Sequence, residues 1–236
     1  MREAVVFLPE QMCDARLFGQ QIAALSPDHA VTAAPVTQGE RVEEIASGLL
    51  DLLPKRFALV GLGLGGAVAL EIVRRASDRV SRLALMGTNP LAETPQQAAE
   101  RDPLIIRARA GKLDEVLREA LKPADLAPGL QRAEIHALYM EMGLSLGPEI
   151  FARQSRAQQR RRDQQTTLRK LIVPTMVICG AQDPLTPVKR HAFMAELIPG
   201  AVLRVIDEAG HLPPLEQPEA VLAALRDWMA MPLRLR

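Results

Sequence analysis

Three short segments hold the residues able to do chemistry. Residues 61–66 read GLGLGG, and Gly61, Gly63 and Gly66 satisfy G-x-G-x-x-G between a run suited to a strand and one suited to a helix. In a dinucleotide-binding unit that spacing seats a pyrophosphate on the helix N-terminus. Residues 180–187, GAQDPLTP, put Asp183 in a proline-bounded turn, where a carboxylate can orient an imidazole or cap the turn itself. Residues 208–218, EAGHLPPLEQP, put His211 in a glycine-containing loop just past a strand. An imidazole there can project over the edge of a sheet and exchange a proton near neutral pH. His29, His136 and His191 have no comparable context and read as structural. The dinucleotide reading, an oxidoreductase, needs its fingerprint on the first strand of the unit and a carboxylate about 20 positions on. Two strands precede the one that leads into GLGLGG, and the next strand ends Met86-Gly87-Thr88-Asn89 without a carboxylate, which weighs against it.

The elements that must carry these segments follow from periodicity. Apolar and β-branched runs at 4–8, 30–34, 57–60, 80–86, 173–179 and 202–206 read as six strands. Between them, Val42, Ile45, Ala46, Leu49, Leu50 and Leu53 keep one helical face, and AVALEIVRRA after the glycines is apolar enough for a helix in the middle of a sheet. Strand and helix alternate with short connections through residue 86, a pattern that calls for a parallel sheet covered by helices on both faces. From 91 to 170 the alternation stops. Leu113, Val116, Leu117, Ala120 and Leu121, then Ile135, Leu138, Tyr139 and Met142, give helices and no strand. The expected organisation is therefore a core of residues 1–90 and 171–236 with a helical cap, 91–170, inserted after the fourth strand.

The chain of 236 residues carries 29 basic and 28 acidic side chains and a formal charge of +1, so nothing global favours nucleic acid, an anionic membrane or an acidic partner. Cys13 and Cys179, far apart, fit a reducing compartment, and no secretory signal or apolar run approaching the ~18 residues of a membrane helix appears, so a cytoplasmic location is expected. Arg153, Arg156, Arg160, Arg161, Arg162, Arg169 and Lys170 form a basic stretch. It reads as a solvated outer face of the cap or as a patch steering an anionic substrate. No aromatic residues interleave with it as single-stranded nucleic acid would require.

Taken in order, the elbow-like GLGLGG, the Asp183 turn and the His211 loop resemble the nucleophile, acid and histidine segments of the α/β-hydrolase superfamily, over essentially the whole chain. The resemblance implies a six-stranded, mostly parallel sheet with a helical cap, lacking the usual N-terminal hairpin. It also implies a small ester, lactone or related carbonyl substrate held between sheet and cap, with no cofactor and no metal. By position it makes His211 the general base, Asp183 its orienting carboxylate, and the backbone N–H groups of Leu64 and Gln11 the oxyanion donors, with Met12 the neighbour of the second.

Two departures stand out. Gly63 occupies the place of the serine of G-x-S-x-G-G, so the acyl-enzyme route has no side-chain nucleophile. Glu10 stands where relatives carry a glycine in the loop Leu8-Pro9-Glu10-Gln11-Met12 and adds negative charge beside a site meant to stabilise an oxyanion. Thr88 and Cys13 are the nearest hydroxyl and thiol, but neither has an adjacent base in sequence. Three readings stay open: a disarmed serine hydrolase; an enzyme in which His211 and Asp183 activate a water in the space of the missing hydroxyl or move a substrate proton; and a small-ligand-binding protein without turnover.

Overall fold

A computed structural model describes residues 3–233. Six strands, β1 (Val5–Leu8), β2 (Val31–Ala33), β3 (Phe57–Leu62), β4 (Val80–Met86), β5 (Thr175–Gly180) and β6 (Val202–Ile206), form one sheet in the order β2-β1-β3-β4-β5-β6. Every pairing is parallel. The expected strand at 57–60 extends to Leu62, because Gly61 and Leu62 still pair with Met86 and its neighbour Leu85 on β4, and Gly61 with Leu8 on β1.

Alternation along the strands splits the core. Val5, Phe7, Val60, Ala84, Met86 and Ile178 face one layer, and Val6, Leu8, Leu59, Leu83, Leu85 and Val177 face the other. The second layer is covered by helix α2 (Val42–Leu52), which buries Val42, Ile45, Ala46 and Leu49, and by α3 (Leu64–Arg75), nearly all of whose residues are buried. Such all-round burial is what a mid-sheet helix requires. The first layer is covered by α1 (Gly19–Leu25), by α11 (Pro218–Ala230) through Val221, Leu225 and the fully buried Trp228, and by apolar side chains of the insertion.

Between β4 and β5 the chain forms α4 (Pro95–Arg107), α5 (Leu113–Ala120), α6 (Arg132–Leu146), α7 (Pro148–Gln159) and α8 (Gln165–Arg169), and no strand occurs there. Buried polar side chains tie this insertion to the sheet. Gln154 on α7 accepts from Met12 N at 2.9 Å and donates to Val36 O at 3.1 Å, holding the loop after β1. Buried Glu71 on α3 accepts from Arg74, Arg75 and Gln164. The remaining short helices are α9 (Val188–Leu197), against β5, and α10 (Pro213–Glu216), which follows the His211 loop. No helix among the described residues is long and apolar enough to cross a membrane.

Candidate active site

The turn from β3 into α3 is forced by packing. A Cβ on Gly65 would overlap the Leu8 carbonyl and lie 2.7 Å from Pro9 O, so glycine alone lets α3 start this close to β1. Gly63 sits at φ +53° and ψ −112°, a backbone region that side chains resist. Its N–H bonds to Met86 O at 3.0 Å, and its carbonyl accepts from Thr88 Oγ1 at 2.8 Å. Thr88 is thereby a brace for the turn.

His211 and Asp183 arrive at the same end of the sheet. His211 Nδ1 and Asp183 Oδ2 are 2.9 Å apart, both groups buried. Asp183 is fixed by its own turn: Oδ1 accepts from Leu185 N (2.9 Å) and Thr186 N (3.0 Å), and Oδ2 from Thr186 Oγ1 (2.6 Å). Burial raises the Asp183 pKa, but the hydrogen bonds and charge of His211 and the bonds from Thr186 outweigh it and leave the carboxyl below its ordinary value. The His211 loop is held by a residue the sequence did not single out. Buried Glu216, on α10, accepts from Gly210 N (2.7 Å), Leu212 N (2.7 Å) and Ala127 N (2.6 Å). His211 N donates to Asp125 O at 2.9 Å, so the insertion and the histidine loop share one network.

The two departures read in the sequence meet here. The Glu10 carboxylate reaches across from the loop after β1: Oε1 accepts from Leu64 N at 3.0 Å and from Gln11 N, and Oε2 faces His211 Nε2 at 3.5 Å. Leu64 and Gln11, the two backbone donors expected for an oxyanion, do converge on one point, and a carboxylate oxygen of the protein occupies it. A Cβ on residue 63 would overlap Glu10 Oε2 and Cδ and lie 2.5 Å from Oε1. The space expected for a missing hydroxyl, or for a water in its place, is filled by Glu10. Glycine at 63 and glutamate at 10 are therefore sterically linked, since a side chain at 63 and this carboxylate exclude each other. The same carboxylate lies on the first amide of α3, where a pyrophosphate would have to sit. That leaves GLGLGG no phosphate seat.

Electrostatics follow the contacts. Desolvation lowers the His211 pKa, but hydrogen bonds to Asp183 and Glu10 and their charges raise it to about 10, so at neutral pH the ring is an imidazolium between two carboxylates. Burial, followed by the charges of Glu10 and Asp14, pushes the Cys13 thiol well up, so it is no thiolate nucleophile. His191 is buried on α9 with Nδ1 near Pro187 O. His29 and His136 bond to the backbone carbonyls of Glu3 and Leu121. No group of three or more His, Cys, Asp or Glu among the described residues could hold a metal ion.

A cavity of about 330 Å³ opens over this cluster, lined by Glu10, Gly63, Thr88 and His211 from the sheet side and by Arg101, Tyr139, Phe151 and Arg161 from the insertion. Arg101 is paired with Glu93. The basic stretch divides. Arg156 and Arg160 reach Glu40 and the exposed Arg162 reaches Glu43, joining the insertion to the region around α2, Arg169 and Lys170 stay on the exposed face, and Arg161 turns into the cavity wall.

Known proteins share the family and the fold. The model of the alpha/beta hydrolase family matches residues 10–224. A pimeloyl-[acyl-carrier protein] methyl ester esterase of Aromatoleum aromaticum is 30% identical over 220 residues, covering 85% of this chain and 84% of its own. A 2-hydroxymuconate semialdehyde hydrolase of Pseudomonas putida is 28% identical over 201 residues, 79% of this chain and 67% of its own. Among solved structures, a thermophilic esterase from Thermogutta terrifontis superposes with a TM-score of 0.87 at 27% identity, covering 96% of this chain and 89% of that one. The enol-lactonase of Burkholderia xenovorans LB400, at 22% identity and a TM-score of 0.85, covers 98% of this chain and 92% of that one and shares the fold.

Proposed function

Because the chain belongs to the alpha/beta hydrolase family, we propose that it is a hydrolase of a small ester, lactone or related compound in which Glu10, not a residue at 63, is the nucleophile. His211 and Asp183 are its acid–base partners, and residues 91–170 are the cap over the pocket. The observation that carries this reading is the Glu10 carboxylate, one oxygen on the Leu64 and Gln11 amides and the other beside His211. The esterase names of the relatives support the ester class.

The position of the carboxylate selects the bond it attacks. Attack on a carbonyl carbon would create an oxyanion with no donor left for it, since both amides already serve Glu10 Oε1, and would place that charge beside a carboxylate. Attack by Oε2 on the saturated carbon of the C–O bond needs no such donor. The electron pair of that bond leaves with the acyl oxygen as a free carboxylate, and the alkyl group becomes a Glu10 ester. Esterification removes the negative charge beside His211, so the ring loses one of the two carboxylates that hold it protonated, releases its proton to solvent as the acid product departs, and as the neutral imidazole accepts a proton from water, the water's other hydrogen passing to the leaving alcohol. Water then adds to Glu10 Cδ. The developing oxyanion is Oε1, already on its two N–H donors, and collapse releases the alcohol and restores the carboxylate with one oxygen from water. The net reaction is ester or lactone hydrolysis.

Turnover of small methyl esters and lactones in ¹⁸O-water, together with mass spectrometry of a His211→Gln variant, tests this. The expected result is an alkyl adduct on the peptide containing Glu10 and, in the wild type after the first turnover, label in the alcohol and none in the acid. Label in the acid would mean attack at the carbonyl and overturn the assignment. Stoichiometric ligand binding without turnover would instead favour the ligand-binding reading.

A further inference from the structure

Arg161 differs from every other charged residue in the cavity wall. Glu10 and His211 face each other, and Arg101 holds Glu93. The neighbouring arginines 156, 160 and 162 each reach Glu40 or Glu43. Arg161 lines the cavity, donates from Nη1 to Gln158 Oε1 at 3.0 Å, and has no carboxylate partner among the described residues. Its Nε is buried without a hydrogen-bond partner. A largely buried guanidinium with one neutral side-chain acceptor is poorly compensated, and the matching group is a planar anion able to take two of its N–H donors.

We infer that Arg161 is the anion-binding residue of this pocket, and that the substrate is a small ester or lactone carrying a separate carboxylate that pairs with its guanidinium. Burial, with the nearby Arg101 charge adding to it, lowers the Arg161 pKa against the pull of Glu93 and Glu10, as expected of a cation whose counter-ion comes with the ligand. Among seven basic residues in the stretch at 153–170, only the one placed just past the end of α7 at Gln159 faces inward to the cavity with its charge unpaired. The substrate class rests on the proposed hydrolase reading, but the anion site does not, because binding can be measured without turnover.

The test is calorimetry of the Glu10→Gln protein, and of the wild type, with the monomethyl esters of succinate, glutarate and adipate, each beside the neutral ester-amide of the same length. At least one anion is expected to bind, and to bind more tightly than its amide by roughly 10- to 100-fold, the range of a charge-assisted hydrogen bond. Arg161→Gln should abolish the preference, Arg161→Lys should keep part of it, and Arg156→Gln, outside the pocket wall, should leave it intact. Circular dichroism confirms that each variant is folded. Equal affinity for acid and amide at all three lengths, or an unchanged preference in Arg161→Gln, overturns the inference. Anion preference without isotope label in the alcohol would sink the Glu10 mechanism and leave the Arg161 site standing.

Discussion

Restoring the missing hydroxyl is the obvious perturbation, and the geometry says that it fails when made alone. In Gly63→Ser the new Cβ overlaps Glu10 Oε2 and Cδ, so the carboxylate must leave its place. It then gives up the bonds from Leu64 N and Gln11 N, which at about 1.5–3 kcal/mol for each hydrogen bond to a charged group is about 3–6 kcal/mol. A side chain at φ +53° adds strain of order 1–3 kcal/mol. Together the loss is roughly 4–9 kcal/mol, comparable with the whole stability of an ordinary domain. Removing the carboxylate as well, in Glu10→Gly with Gly63→Ser, eliminates the overlap but gives up the same two hydrogen bonds, so the double variant should fall below the wild type in stability much as Gly63→Ser does, and activity is what separates the two. It also frees the two amides for a substrate oxyanion and places a hydroxyl beside His211. Since losing the nucleophile of such a triad costs on the order of 10⁶ in kcat, the double variant should hydrolyse p-nitrophenyl acetate at least about 10³-fold faster than either single variant. Urea unfolding and this assay read both effects. A Gly63→Ser protein as stable as the wild type, or as active as the double variant, would refute the steric link between the two positions.

Three further outcomes are expected. The raised pKa of His211, about 10 against an ordinary value near 6.5, contributes stability that is complete below about pH 6.5 and is lost as pH rises toward 10. Urea midpoints between pH 6 and 11 should fall accordingly, and less steeply in Glu10→Gln, which removes one of the two carboxylates holding the proton. At the acid end the lowered Asp183 pKa works in the opposite sense, its contribution present above about pH 3.8 and lost below, so Asp183→Asn should flatten acid unfolding monitored by circular dichroism. Glu216→Gln turns an acceptor of three backbone N–H groups into an amide that repels at least one, and calorimetric or urea unfolding should show a loss of about 1–3 kcal/mol together with weaker hydrolysis through a loosened His211 loop.

Much of this was legible from residues alone because the signals are local. Strand runs, the face of α2, and the glycine at 61 each reflect contacts within a strand–turn–helix unit, whereas the glycine at 65 answers to Leu8 and Pro9 at the end of β1; the succession of GLGLGG, Asp183 and His211 followed from strand ends that all point the same way in a parallel sheet. The arrangement of helices at 91–170 was legible as helical but not in its packing, and Glu216 looked like any acidic residue of a polar loop until its three backbone donors came together around it.

The amino-acid order by itself determined the architecture, the convergence of an imidazole and a carboxylate, and the absence of a hydroxyl at 63, because these depend on short-range periodicity and on residue type. Only the folded chain decided what replaces that hydroxyl. Glu10 and Leu64 are 54 positions apart and meet because β1 and β3 are neighbours in the sheet, which aims one loop's side chain into the other's turn. Likewise, nothing in a run of arginines marks the one at 161; the end of α7 and the carboxylates across from it turn its neighbours toward Glu40 and Glu43 and leave it facing the cavity.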